Sequence, residues 1–566
     1  MKKYNIKRYI PYFLLIIILI TINVYFSSEI PKGLAKNIDI GIVNNDFEFI
    51  KYNSLKMLGM ALLSTIFSVI YIFLIAKLTS TVAKKLRSKI FKKVEYFSTK
   101  NLSKFGISSL LTRTTNDISK FQESLNMILR ISILAPITLV VASFQAYSIA
   151  PQMVWVLALL SGILIIGIVI AVLLLLKKIS ILQKLEDKMN NVLREILGGK
   201  RVIRAFNKQK YESEKFKKVN IEMKDIIWFI DKVVSVINPF AEFMINISAA
   251  VVVYFIAKFI PIYNTEIGSI FAFMQYSVMI MVSFLMLTAI LFVMPKAYVS
   301  FKRIDEVLSE KIDIVNDENL EKLEKIENIR FENVSFAFDM AESNAVDNLS
   351  FEIKSNETLG IIGSIGSGKS TIAKLLLRFL DNTEGKIFIN NKEIKEYSLN
   401  SLRNRISYIP QTSKLFNSTI LENIAYADPN PNIEKVKMSI DYALANEFAI
   451  LDMDLNEGGT NLSGGQKQRI QIARGIYKDS DLIIFDDSFS ALDNKTDRAI
   501  RDNLDKLNYM KIIISQKLLT IKNSDKIIVL DNGSIVGIGT HNELIETCDI
   551  YKEIYNIQVG DINECL

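Results

Sequence analysis

Six apolar runs, near 9–27, 55–76, 131–150, 153–176, 234–260 and 267–294, constrain this chain more than any other feature of its sequence. A helix needs about 20 residues to cross a bilayer, so the runs predict a six-span α-helical membrane domain over 1–295. The 50% hydrophobic content and the mean hydropathy of +0.25 fit that reading and are high for a soluble protein. Six spans leave both ends on one side. The loop at 77–130 carries Lys77, Lys84, Lys85, Arg87, Lys89, Lys92 and Lys93 against few acids, and 177–232 is also basic. The 28–54 segment instead balances Lys32, Lys36 and Lys51 with Glu29, Asp39, Asp46 and Glu48. The excess of positive charge puts the N-terminus, both long loops and everything after 295 in the cytoplasm. Met1 to Arg8 is basic and precedes an apolar run, as in a signal peptide, but no small-residue cleavage site follows. The first run is therefore a retained helix.

The two long loops have helical spacing with few Pro or Gly, which predicts that helices two to five project from the membrane as rods, interrupted at Gly106 and Gly198-Gly199. In the fifth run Glu242 lies four residues from both Asn238 and Asn246, so the three share a face. A charge at mid-membrane costs about 2.5–3.5 kcal/mol on insertion scales and should face protein or water. Two readings stay open for Glu242, a substrate-contacting acid and a carboxylate that snorkels or caps near the cytoplasmic end. Met274, Met279, Met281 and Met286 in the sixth run are suited to an adaptable cavity, or to ordinary core and lipid-facing filler. The formal charge of +8 is spread along the chain rather than gathered in a stripe, which argues against nucleic acid as a partner. Cys548 and Cys565 form neither a CxxC nor a paired framework, so both read as reduced cytoplasmic thiols.

After a charged linker, 296–327, the composition changes at 328 to short β-rich runs separated by Gly-containing turns, an α/β pattern that continues to 566. Within it Gly363-Ser364-Ile365-Gly366-Ser367-Gly368-Lys369-Ser370-Thr371 follows an apolar strand and precedes an apolar helix, satisfying the phosphate-loop pattern in its required context. The glycines let backbone N–H groups turn toward phosphates, Lys369 reaches the β and γ phosphates of ATP, and Ser370 is placed to hold Mg2+. The strand Leu482 to Phe485 ends in Asp486, a second carboxylate suited to organising the metal through water.

Leu462-Ser463-Gly464-Gly465-Gln466, before Asp486, resembles the signature of ATP-binding cassette (ABC) proteins, and the six-span half with long internal loops resembles the family's exporters. The resemblance covers essentially the whole chain. Gln411 after Ile409-Pro410 looks like the Q-loop and a further ligand of the hydrated metal, Glu457-Gly458-Gly459 like the exporter X-loop, and Ser490 to Asp493 like the D-loop. Phe338 stands where the family stacks an aromatic on adenine, a task that needs only a π face. Gly106 with Leu110 to Asp117, and Arg194 to Phe206, resemble the two coupling segments. The resemblance implies an α-helical six-span transmembrane domain fused to an α/β P-loop ATP-binding cassette. Two such cassettes close head to tail, with each ATP between one chain's phosphate loop and the other chain's LSGGQ.

Two positions depart from the pattern. The general base after the Walker-type Asp is Glu in competent members but Asp487 here, which withdraws the carboxylate by roughly 1.5 Å, and a misplacement of about 1 Å already costs on the order of a hundredfold. The switch His is replaced by Gln516, and the sole histidine, His541, lies past the final strand. An amide can hydrogen-bond a phosphate but does not titrate. With LSGGQ intact, the chain resembles the degenerate-site subunit of a bacterial heterodimeric multidrug-type exporter, whose partner is a second half-transporter. The alternatives are a slow homodimer, an importer on the exporter fold, and a nucleotide-gated regulator that moves no substrate. An attached peptidase is disfavoured because the chain starts at its first span. Drug, lipid and peptide substrates all remain open.

Overall fold

The apolar runs form helices that continue well past the membrane-length segments. The computed structural model describes residues 9–263, 267–338, 341–412 and 414–564; the basic stretch Met1 to Arg8 and Cys565 lie outside them. Six helical stretches are long and apolar enough to cross a membrane, Ile10–Ile42, Phe47–Glu95, Ile107–Ile149, Pro151–Gly198, Gln209–Phe255 and Ile267–Ser309. The second has 49 residues and so spans about 70 Å at the α-helical rise, more than twice the roughly 30 Å hydrocarbon core. These extensions are the rods that the helical spacing of the loops predicts. With the apolar runs they make the chain a multi-pass membrane protein.

The chain divides into two compact units. The first comprises Met1–Glu95 and Ile107–Glu310, the second Tyr96–Gly106 and Lys311–Leu566. In the first, the end of the sixth spanning helix is tied to the third by charge and by ring packing. Arg303 pairs with buried Asp117 at 3.3 Å, Arg113 with Glu306 at 2.8 Å, and Phe121 lies 5.5 Å from Phe301. Deeper in the spans, polar side chains satisfy buried backbone groups, because lipid offers no hydrogen bonds in exchange. Tyr276 donates to the Ser28 carbonyl at 2.6 Å and Asn23 to the Ser64 carbonyl at 2.7 Å. Asn238, Glu242 and Asn246 share an exposed face, uncovered by this chain. Met281 is core, whereas Met286 is 38% exposed.

The second unit holds two sheets. Strands β1 (Asn328–Phe336), β2 (Val346–Lys354), β4 (Glu384–Ile389) and β5 (Lys392–Glu393) form an antiparallel sheet in the order β2-β1-β4-β5. The other has the order β10-β9-β3-β8-β7-β6, from β3 (Thr358–Gly363), β6 (Ile406–Ile409), β7 (Leu482–Asp486), β8 (Met510–Ile514), β9 (Lys526–Asp531) and β10 (Ser534–Gly539). It is parallel except for β10. Its central strands are apolar on both faces, as a sheet covered on both sides requires. Leu482 and Ile484 of β7 join one core with Ile361, Ile512 and Ile528. Ile483 and Phe485 join the opposite core with Ile362, Ile513 and Val529. This two-residue alternation fixes the register, which sets Asp486 beside Ile514 and Ile514 beside Ile361. The loops that follow β3, β6, β7 and β8 therefore leave one edge of the sheet together, where ligands of open α/β sheets bind.

Candidate functional site

The loop after β3 turns through Gly366 (φ +88°) and Gly368 (φ +94°) into the helix Lys369–Leu376. A Cβ on Gly368 would lie 2.3 Å from the Ala345 carbonyl oxygen, so glycine is required there for both reasons. Buried Lys369 curls back into the loop, its ammonium donating to the carbonyls of Gly363 at 2.8 Å and Ser364 at 2.6 Å and to Ser367 Oγ at 3.4 Å. Burial lowers its pKa from the usual lysine value, against the opposing pull of Asp487 and Asp486.

Asp486, at the end of β7, is buried and accepts on both oxygens. Ser370 Oγ donates to Oδ1 at 2.7 Å and the Tyr408 hydroxyl to Oδ2 at 2.9 Å. The register of β6 beside β7 positions Tyr408 opposite Ile484. Burial, then the Asp486 carboxylate, raises the Tyr408 phenol above its ordinary range, so it remains a donor. Sequence reasoning missed Tyr408, and its only signal was its place three residues before Gln411 on a strand paired with the Asp486 strand.

Asp487 takes the left-handed backbone conformation (φ +51°), where aspartate is one of the better tolerated residues. Its N–H donates to the Ile514 carbonyl at 2.8 Å, and its Oδ2 accepts from Gln411 Nε2 at 3.0 Å. Burial pushes the Asp487 carboxyl up, with Asp486 adding to the rise, while the hydrogen bond from Gln411, the charge of Lys369 and the backbone of Gln516 act against it. The Gln516 carbonyl also accepts from Gln558 at 2.7 Å. Ser370, Tyr408, Gln411 and Asp486 line one cavity of about 840 Å3, together with Arg403, Lys374 and Lys414.

Ser463 to Gln466 do not line that cavity. They open the helix Gly464–Tyr477 as a reciprocal cap, in which Gln466 N–H donates to Ser463 Oγ at 3.3 Å and Ser463 N–H to Gln466 Oε1 at 2.9 Å. Gln468, one turn on, accepts from the Ala491 N–H at 3.1 Å and so ties this helix to the segment Ser490 to Asp493. Phe338 is 46% exposed, with its ring edge-on to Phe336 at 5.0 Å. It lines a separate cavity of about 690 Å3 with Phe379, Asp381 and Thr383, and no residue of the phosphate loop shares that lining. The structure thus brings together Lys369, Ser370, Asp486, Asp487, Gln411 and the backbone of Gln516, with Phe338 and LSGGQ at other surfaces.

Ser370 and Asp486 supply a hydroxyl and a carboxylate 2.7 Å apart, hard oxygen donors of the kind Mg2+ accepts. A glycine-lined turn, a lysine at its base and such a pair form a site whose chemistry suits a phosphate and its metal ion. The sequence models of the family agree, with the ABC transporter transmembrane region matching residues 13–284 and the ABC transporter domain residues 346–490. An uncharacterized ABC transporter ATP-binding protein of Mycobacterium tuberculosis is 30% identical over 537 residues, 93% of this chain and 92% of its own. The chain belongs to the ABC transporter family. The ATP-dependent lipid A-core flippase of Haemophilus influenzae is 30% identical over 543 residues, covering 92% of this chain and 90% of its own. A bacterial Atm1-family ABC exporter with ATP bound superposes with a TM-score of 0.81 over 98% of this chain and 99% of its own; at 21% identity that likeness speaks to the fold, which is the exporter fold.

Proposed function

We propose that the chain is one half of a heterodimeric exporter of the cell membrane, with its N-terminus and nucleotide-binding domain in the cytoplasm. It drives ATP-dependent export of an amphiphilic, lipid or peptide substrate. Lys369 and the backbone of Ser364 to Gly368 hold the phosphates, while Ser370, Asp486 and Gln411 hold Mg2+, which neutralises phosphate charge when bound. Phe338 stacks on the adenine. The names of the flippase relatives favour a lipid among the substrate classes.

The observation that carries the asymmetric reading is the pairing of a short carboxylate with a non-titrating switch. Asp487 is tied to Gln411 at 3.0 Å, and Gln516 meets it through its backbone. General-base catalysis needs the acceptor within hydrogen-bond reach of the attacking water, and a shorter side chain bound elsewhere is poorly placed for that. The Ser463–Gln466 cap is complete and exposed, which suits a signature lent to the partner's ATP.

The test compares Ser463→Ala with Asp487→Asn in the same purified complex. Losing a transition-state donor costs about 10²–10³ in turnover, so Ser463→Ala nearly abolishes ATPase activity while Asp487→Asn has a much smaller effect. Equal, large losses would instead indicate a slow symmetric homodimer. ATP binding without ATP-dependent flux would indicate a regulator.

A further inference from the structure

The charges of the third spanning helix stop at one residue. Arg130 is its last charge, and none follows in the chain until Lys177. Beside it lies a cavity of about 540 Å3 lined by Glu123, Asn126, Arg130, Ile131, Leu134 and Met286. Glu123 and Arg130 are both exposed, and neither makes a hydrogen bond or ion pair with another described residue. They are seven residues apart, two helical turns or about 10 Å along one face, and both side chains lean toward the helix N-terminus.

The lining is ordered along this axis. Ile131, Leu134 and Met286 form the apolar end, Arg130 stands at the foot of the apolar run, and Glu123 lies further from that run with Gln122 and Asn126, the polar side being interrupted by Met127. A phospholipid with an amine in its headgroup has the same order, with acyl chains first, phosphate next and ammonium outermost. A guanidinium matches phosphate with a planar fork of donors, and a carboxylate accepts charge-assisted hydrogen bonds from a primary ammonium. A glycerol headgroup offers Glu123 no cation, and a choline headgroup keeps the charge but has no N–H to donate.

We propose that this cavity is a headgroup site for a zwitterionic aminophospholipid, presented from the cytoplasmic side. The inference rests on the exporter reading above and on the orientation it assigns. It names the substrate class, with phosphatidylethanolamine as the probe.

The test is native mass spectrometry of the full-length protein in its native assembly, titrated with phosphatidylethanolamine, phosphatidylglycerol and phosphatidylcholine of matched acyl chains. Soluble phosphoethanolamine is run as a competitor. Phosphatidylethanolamine binds at least about tenfold more tightly than phosphatidylglycerol, the effect of one charge-assisted hydrogen bond on a dissociation constant. Glu123→Gln closes that gap, and Arg130→Gln weakens both lipids. The headgroup ranking of the unaltered protein needs no variant, so a folding defect in either substitution leaves the test intact. Equal binding of the two lipids, a preference that survives Glu123→Gln, or equal binding of phosphoethanolamine without acyl chains overturns the proposal. ATP-driven flux of another amphiphile without this ranking removes the lipid site alone. The ranking without any ATP-dependent flux removes the exporter reading and leaves the site.

Discussion

The Tyr408 hydroxyl donates to Asp486 Oδ2 at 2.9 Å while Ser370 holds the other oxygen, so a buried carboxylate is aimed by two strands and the phosphate loop together. Tyr408→Phe removes one of these bonds and leaves the oxygen unsatisfied. A hydrogen bond to a charged group contributes about 1.5–3 kcal/mol. The expected outcome is a several-fold rise in the Mg2+ concentration needed for half-maximal nucleotide occupancy at this site, measured by titration with labelled ATP. An unchanged midpoint would show that Ser370 alone orients Asp486.

Lys369 is the cation at the base of the loop, held by the Gly363 and Ser364 carbonyls. Lys369→Ala weakens ATP binding at this chain's site by at least about tenfold, the scale of one lost charge-assisted contact. On the proposed asymmetric reading, ATPase activity of the complex persists in part, through the partner's site. Photolabelling that separates the two sites checks both statements.

Asp487 titrates above the ordinary aspartate value, chiefly because it is partly buried. A raised folded-state pKa means that folding favours the protonated form. That favourable contribution is complete below the unfolded pKa of about 3.9 and is lost as pH rises through the folded value. At neutral pH the ionised carboxylate therefore burdens the folded domain. Asp487→Asn raises the thermal midpoint of the nucleotide-binding domain at pH 7.5, and the gain shrinks toward pH 4. Calorimetry at the two pH values reads the difference directly.

Arg474 donates to the Asn423 carbonyl at 2.6 Å and to its side-chain oxygen at 2.7 Å, and lies 5.5 Å from the Phe416 ring, which stacks on Tyr426 at 4.5 Å. Burial lowers its pKa to about 10. Arg474→Met keeps the stem but removes both bonds; the Asn423 side-chain oxygen keeps the Phe416 N–H at 2.9 Å, while its carbonyl loses the guanidinium donor, at a cost of about 1–3 kcal/mol. The nucleotide-binding domain should unfold at lower denaturant concentration, with the membrane helices unaffected in circular dichroism.

Much of this was legible in the sequence because it depends on local pattern. Apolar runs set the spans, since a bilayer core has one thickness. The order Gly366, Gly368, Lys369, Ser370 marked the turn after β3, since both glycines take positive φ and a Cβ on Gly368 would stand 2.3 Å from a carbonyl oxygen. Asp487 and Gln516 were readable as departures because each sits at the end of an apolar strand whose position in the pattern is fixed.

What only the tertiary structure decided depends on partners distant in sequence. Tyr408 and Asp486 are 78 residues apart, and they meet because β6 pairs with β7 in a register set by two opposed cores. Asp117 and Arg303 pair across helices whose apolar faces carry no record of which neighbour they meet. The exposure of Glu242 could not be read from its run, because helical periodicity places it with Asn238 and Asn246 but not against any other helix. A sequence encodes which groups share a face through backbone geometry. Which faces meet is settled by the packing of the whole fold, where many weak contacts are satisfied at once.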